Sequence, residues 1–295
     1  MTALRARAAA LLSALLSALV AASIVAGARA QNAVFSSKVE AVRVDVLVTD
    51  RENGPAVVGL GPSDFEVYDN SVLQQVDLVS YEQVPLNVIL AFDVSDSVEG
   101  ERVDHLRAAG GAVLGALTAD DQAALITFSH LVVLGAGLTK DAATVRRALE
   151  ETGPSGTTAL VDGMFAAIML GESDAGRALV IVFSDGVDTS SWLTETAVLD
   201  AAKRSDAVIY AVATRSRLKP EFLREATSFT GGRLFEVEKT ANLGAIFLNV
   251  LEEFRHRYLL SYTPRNVPRG GWHKLEVRVK GRRVAVKARP GYLGS

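Results

Sequence analysis

The chain has 295 residues, a formal net charge of −3, 49% hydrophobic residues and no cysteine. That length suits one good-sized domain plus something smaller, with ample chain to bury a core. Zero cysteine excludes disulfide scaffolds, thiolate zinc sites and thiol catalysis, and the lack of a basic surplus argues against nucleic acid, whose phosphates would go unneutralised.

Arg5 and Arg7 precede an apolar run from Ala8 to Gly27 that closes on Ala28-Arg29-Ala30. A basic start, an apolar stretch and a small-x-small end read as a Sec-type signal peptide over 1–30, cleaved after Ala30. The competing reading is an uncleaved anchor helix, because the run approaches the roughly 20 residues that span a bilayer. Cleavage would leave 28 basic against 34 acidic side chains, a net charge of −6. It would also leave a secreted or periplasmic protein with no membrane span.

Residues 31–85 read as a small β-rich segment. Val42, Val44, Val46 and Val48 alternate with Arg43, Asp45 and Leu47, and turn signals follow at Glu52-Asn53-Gly54-Pro55 and Gly61-Pro62-Ser63. Further strands are expected at Phe65–Tyr68 and Val72–Tyr81. The rhythm then changes. Asn87–Phe92, Ala123–Phe128, Ala178–Phe183 and Ala207–Ala213 are apolar throughout, as strands covered on both faces must be. Between and after them, Val103, Leu106, Gly110, Val113, Leu114 and Leu117, and later Leu243, Ile246, Phe247, Val250, Leu251 and Phe254, recur at helical spacing. Residues 86–256 therefore read as α/β, a doubly wound, mostly parallel sheet. Residues 257–295 return to strands at Tyr258–Tyr262, Lys274–Lys280 and Val284–Ala288, with Gly281-Arg282 expected as a tight turn between the last two. Segments 31–85 and 257–295 are each too short to bury a core, so they are expected to pack together as one β module interrupted by the α/β domain.

Open α/β sheets bind ligands at the carboxyl ends of their strands. Those ends carry Asp93-Val94-Ser95-Asp96-Ser97 and Ser184-Asp185-Gly186, while Gly153-Pro154-Ser155-Gly156 leads into Thr157-Thr158 at a helix start. Carboxylates and hydroxyls without nitrogen or sulfur suit Mg²⁺, Mn²⁺ or Ca²⁺. Asp96 and Asp188 read instead as solvated loop acids, Asp162 as a residue supporting the ligands from behind or lying on the helix surface, and Ser190 and Ser191 as loop or helix-entry residues.

The stretches VRVDVLVTD, DFEVYDN, AFDVSDS, PSGTTALVDG, IVFSDGVDTSS, YLLSYTP and RPGY resemble the von Willebrand factor A-type domain. More narrowly, region 31–295 is similar to the secreted bacterial VWFA-related subfamily. The resemblance implies a Rossmann-like domain between β-rich flanks. It also implies a metal-ion-dependent adhesion site (MIDAS) at Asp93, Ser95, Ser97, Thr158 and Asp185, binding Mg²⁺, with Mn²⁺ or Ca²⁺ as alternatives. Thr157 replaces a glycine of the family pattern, leaving open which of Thr157 and Thr158 approaches the metal. Two carboxylates balance a divalent ion and neutral hydroxyls add no charge, so the ion would stay electrophilic enough to take an Asp or Glu carboxylate from a protein partner.

No H-E-x-x-H, G-x-S-x-G, Walker A or G-x-G-x-x-G motif occurs, and His105, His130, His256 and His273 are isolated. Asp93 lacks the second carboxylate two residues on that an aspartyl phosphatase uses, since Ser95 stands there. The expectation is a non-enzymatic adhesion module. A metal-independent scaffold acting through the β module is the alternative, and a metal-dependent hydrolase ranks last. The basic stretch Arg265–Arg289 reads as the solvated face of an edge hairpin, with a patch for an anionic polymer as the sharper option.

Overall fold

The computed structural model describes residues 41–52, 54–80, 84–173, 176–185, 187–215 and 219–294, all within one unit running from Glu40 to Ser295. The leader segment 1–30, Tyr81 and Gly186 lie outside the described residues. In chain order the strands are β1 (Val42–Thr49), β2 (Phe65–Asp69), β3 (Val72–Gln74), β4 (Val76–Ser80), β5 (Leu86–Asp93), β6 (Gln122–Phe128) and β7 (Val132–Thr139). They continue as β8 (Arg177–Ser184), β9 (Val208–Thr214), β10 (Leu234–Val237), β11 (Tyr258–Tyr262), β12 (Gly271–Val279), β13 (Ala285–Lys287) and β14 (Gly291–Gly294). The α-helices are α1 (Glu101–Gly115), α2 (Ala142–Glu151), α3 (Leu160–Gly171), α4 (Glu195–Arg204), α5 (Glu221–Phe229) and α6 (Leu243–Arg255).

The four long apolar runs become β5, β6, β8 and β9, the middle of a six-stranded sheet ordered β10-β9-β8-β5-β6-β7. The pairings are parallel except at β7, an antiparallel edge. Alternation within each run sends side chains to two cores. Val88, Leu90 and Phe92 pack with α1, α2 and α6, while Ile89 and Ala91 pack with α3, α4 and α5. Phe92 stacks on Phe247 of α6 at 5.6 Å. Gly110 of α1 makes that approach possible, because a Cβ there would stand 2.7 Å from Leu149 and 3.1 Å from Phe92. The chain leaves β5 toward β6 on one side and leaves β8 toward β9 on the other. Strand order thus reverses between the adjacent carboxyl ends of β5 and β8, where a crevice forms in this architecture.

The remaining strands form two four-stranded sheets, ordered β13-β1-β11-β4 and β14-β12-β2-β3. Each mixes strands from before and after the α/β segment, and Val44, Val46, Val67, Tyr258 and Leu260 share one buried core. A polar cluster sits beside it. The fully buried Asp69 accepts from the Tyr262 and Tyr292 hydroxyls, each at 2.9 Å, and lies 2.8 Å from His273 Nδ1. Burial foremost, with the neighbouring carboxylate adding to it, raises both tyrosine pKa values. Asp69, Tyr262 and Tyr292 come from the stretches DFEVYDN, YLLSYTP and RPGY, so those motifs serve internal architecture. His273 is a core residue engaged in local hydrogen bonding.

Three local expectations fail. Val72–Tyr81 is two strands, since the chain breaks at Gln75 and β4 joins a different sheet from β3. Gly281-Arg282 is no hairpin turn: β12 pairs with β2 and β14, whereas β13 crosses to β1. Lys280 N–H donates to Asp64 O and holds the end of β12 onto the β2 side, and Gly281 then turns at φ +65°. Consequently β12 is an interior strand, and the basic stretch is not one exposed edge. Arg289 is buried with Nη1 donating to Ser205 O at 2.9 Å, and Arg278 pairs with Glu276 at 2.6 Å.

The opposite end of the central sheet is fastened by Asp121, which is buried ahead of β6. Its carboxylate accepts from Leu86 N–H at 2.9 Å, Thr118 N–H at 2.7 Å and Arg255 Nη2 at 2.7 Å. Burial pushes this carboxyl up, but the donors from Arg255, Leu86 and Thr118 outweigh it and hold the pKa below 3.8. A depressed acid contributes stability above its unfolded pKa and loses it as pH falls through the folded value. Asp121→Asn should therefore cost roughly 1–3 kcal/mol at pH 7. Denaturant unfolding from pH 7 to pH 2 should show the deficit shrinking only below about pH 4, and a deficit constant across that range would contradict the assignment.

Candidate metal centre

Asp93 ends β5 and is fully buried. Its Oδ1 accepts from Ser95 N–H at 2.9 Å and its Oδ2 from the Ser184 hydroxyl at 2.7 Å. Ser184 is the last residue of β8, so the two central strands are joined where the crevice opens. Burial drives the Asp93 pKa up; the Ser95 and Ser184 hydrogen bonds oppose it, and the charge of Asp185 adds to the rise. Asp185, half-buried, accepts from Val187 N–H at 3.2 Å. Ser95 is buried, Ser97 is exposed, and their hydroxyl oxygens are 3.0 Å apart.

The third element is bound to the first. Val94 N–H donates to Phe128 O, Ser155 N–H to Val94 O, and Asp96 N–H to Gly156 O, while Gly156 N–H donates back to Asp96 Oδ1 at 2.8 Å. Gly156 has φ +67°, and a Cβ there would stand 2.6 Å from His130 Nδ1. That glycine is therefore required twice over, by backbone hand and by space. Of the threonine pair, Thr157 is exposed and Thr158 is buried, at 5% exposure. Thr158 N–H donates to the Thr189 hydroxyl at 2.9 Å, and its carbonyl accepts from the N–H groups of Thr189 and Ser190.

Several residues outside the expected ligand set hold this frame. Asp188 Oδ1 accepts from Val161 N–H at 3.2 Å and from the Ser191 hydroxyl at 2.6 Å, satisfying the start of α3, which has no side-chain cap of its own. Asp162 accepts from Trp192 N–H and Leu193 N–H, both at 2.9 Å. Asp96 fastens the Gly156 turn. Ser184 and Thr189 were absent from the sequence-derived set. Their partners lie 91 and 31 residues away in the chain, a relation no local pattern carries.

The expected donor set is two carboxylates and three hydroxyls, all oxygen. Among the described residues no group of three or more His, Cys, Asp or Glu side chains is placed to hold a metal, so an ion here would depend on the hydroxyls. The Ser95 and Ser97 hydroxyls hydrogen-bond to each other at 3.0 Å, which brings two of the expected oxygens together. A buried acid whose ionisation is resisted by burial and by a second carboxylate is also a group that a cation would relieve.

A doubly wound α/β domain with an oxygen-lined cluster at its switch point defines the class. The family description "von Willebrand factor type A domain" matches residues 87–249, more than half of the chain, and the chain belongs to that family. A von Willebrand factor type A protein from Catenulispora acidiphila shares 12% identity over 86% of this chain and 73% of its own, with a TM-score of 0.52. Proximal thread matrix protein 1 from the mussel byssus, solved with a zinc-occupied MIDAS motif, is 16% identical over 62% of this chain and 48% of its own, with a TM-score of 0.53. This chain thus spans about half the length of the mussel protein. The von Willebrand domain of the pili tip protein Mfa5 from Porphyromonas gingivalis is 15% identical over 57% of this chain and 94% of its own, with a TM-score of 0.48. At these identities the likeness concerns fold. No curated protein matches the chain.

Asp93→Asn tests the electrostatics of the cluster. In chelator the variant should unfold at the same temperature as wild type or higher, because a buried charge beside Asp185 is gone. Adding Mn²⁺ at about 100 times its wild-type dissociation constant should stabilise wild type by about 2.7 kcal/mol and the variant by no more than about half as much. Equal stabilisation of both proteins would remove Asp93 from the ligand set.

Proposed function

We propose that this chain is an exported protein-interaction module that binds one divalent cation through Asp93, Ser95, Ser97, Thr158 and Asp185, and presents it to an Asp or Glu carboxylate of a partner protein. The single observation that carries the reading is the buried Asp93 at the β5–β8 switch point, with the charge of Asp185 felt there and the Ser95 and Ser97 hydroxyls hydrogen-bonded beside it. Bound there, the ion supplies an electrophilic coordination position for an incoming oxygen. Asp93 and Asp185 balance its charge directly or through water. Ser95, Ser97 and Thr158 orient it without adding charge. Thr158 is preferred to Thr157 because it is the buried member of the pair. The mussel protein lends precedent for a metal in this type of site, and its zinc widens the choice of ion beyond Mg²⁺, Mn²⁺ and Ca²⁺.

Residues 1–30 would direct export, 86–256 would be the binding domain, and 31–85 with 257–295 would form the β module that carries it. The buried Arg177–Asp45 ion pair, between β8 and β1, supports a fixed attachment. Among the described residues no helix is long and apolar enough to cross a membrane. The five proposed ligands are carboxylates and hydroxyls, a donor set suited to holding a hard cation, which supports binding over turnover.

Calorimetric titration of the full chain with Mg²⁺, Mn²⁺, Ca²⁺ and Zn²⁺ tests this directly. One ion per chain is expected, with affinity reduced at least roughly tenfold in Asp93→Ala and Asp185→Ala. If wild type takes up none of the four, or the variants bind as well, the metal-independent scaffold becomes the better account.

A further inference from the structure

Trp192 is 94% exposed, the most exposed large apolar side chain among the described residues. Its backbone is nonetheless fastened. Trp192 N–H and Leu193 N–H both donate to the Asp162 carboxylate at 2.9 Å, and the neighbouring Ser191 hydroxyl donates to Asp188 and accepts from Asp162 N–H. Asp162 and Asp188 are in turn held at the N-terminal turn of α3, where helix polarity favours their charge. The indole makes no ring or cation–π contact among the described residues, whereas Trp272 lies against Phe229 at 6.1 Å. An exposed tryptophan on a fastened backbone points to binding, because large exposed apolar surface is costly and tryptophan is enriched among the residues that dominate interface energetics.

Its position supplies the partner. The same loop, through Thr189 and Ser190, bonds to the backbone of Thr158. On the far side of the cluster, β6 ends in a turn that presents Leu131, 61% exposed. Ser129 in that turn accepts from Ala159 N–H at 2.7 Å, which fixes it to the same frame. Since β8, β5 and β6 are neighbours in the sheet, the loop bearing Trp192 and Leu193 follows β8 and the turn bearing Leu131 follows β6, both at the carboxyl edge that carries Asp93 on β5 between them.

Resting on the cation reading above, we propose that this apolar rim selects the partner. The chain recognises an extended segment in which an Asp or Glu stands beside a large apolar residue, the carboxylate completing the ion's coordination and the apolar side chain covering Trp192. A bare carboxylate coordinating one ion is nearly sequence-blind; an adjacent apolar contact is what confers discrimination.

The test is selection of random short peptides displayed on phage against the full chain in Mn²⁺. Affinities of the enriched peptides are then measured for wild type, Trp192→Ala, Trp192→Phe and Asp93→Ala, with Mn²⁺ affinity of each protein measured in parallel. Enriched peptides should place Asp or Glu within two positions of Trp, Phe, Leu, Ile or Met and should dissociate in chelator. Trp192→Ala should weaken them at least about tenfold with Mn²⁺ affinity unchanged, and Trp192→Phe should retain most of the binding. Enriched peptides that bind Trp192→Ala equally well, that lack an apolar neighbour, or that never appear would overturn the rim while leaving the ion in place. A wild type that takes no Mn²⁺ would remove the cation reading and this proposal together. Sedimentation of a dimer that Trp192→Ala dissociates would assign the rim to a second copy and likewise overturn it.

Discussion

Asp93 sits where the folding requirement and the site requirement meet. Seven preceding residues of β5 are buried on both faces of a sheet, and the strand delivers a carboxylate to its end without exposing it to water. Burying a carboxylate is unfavourable unless its oxygens find donors. Here a backbone N–H two residues on and a hydroxyl from β8 supply them, so the same bonds that satisfy the acid join the two strands at the switch point. The rise in its pKa shows that these donors do not fully compensate the burial and the charge of Asp185. The residual deficit is what a divalent ion would answer.

The surrounding loops are organised to keep that arrangement in place. Three carboxylates beside the site do local work, Asp96 on the Gly156 turn and Asp188 and Asp162 across the α3 entry, and Asp121 does the same at the far end of the sheet. Each accepts backbone N–H groups that irregular segments would otherwise leave unpaired. The β module has its own counterpart in Asp69, around which Tyr262, Tyr292 and His273 converge from three strands. The loops at the carboxyl edge are thus fastened by charge–dipole contacts, which hold the backbone of the exposed Trp192 in place.

Legibility in the sequence followed the strength of each periodic signal. Strands β5, β6, β8 and β9 are continuous apolar runs, and α1 and α6 carry clean three–four spacing, so the doubly wound centre could be read directly. Strand β7 carries Gly135 and Gly137 and shifts register against β6, while β14 is Gly-Tyr-Leu-Gly; neither shows a period. The crossing of β13 to β1 depends on which sheet offers an open partner, which no pair of adjacent segments encodes. At the cluster, residue types were legible because motif spacing is local. The relative burial of Thr157 and Thr158, the Ser184 donor to Asp93 and the roles of Asp162 and Asp188 arise from contacts across tens of residues. Trp192 was visible as a residue but not as an exposed one, because exposure is decided by where α3 begins.

The central claim is that these five residues surround one ion, and its most direct measurement is anomalous scattering from crystals of the full chain grown with Mn²⁺. The account predicts a single strong anomalous peak per chain among the side-chain oxygens of Asp93, Ser95, Ser97, Thr158 and Asp185, displaced by none of the loop carboxylates. A peak centred on Asp96, Asp162 or Asp188, or no peak at Mn²⁺ concentrations that saturate the solution titration, would contradict it.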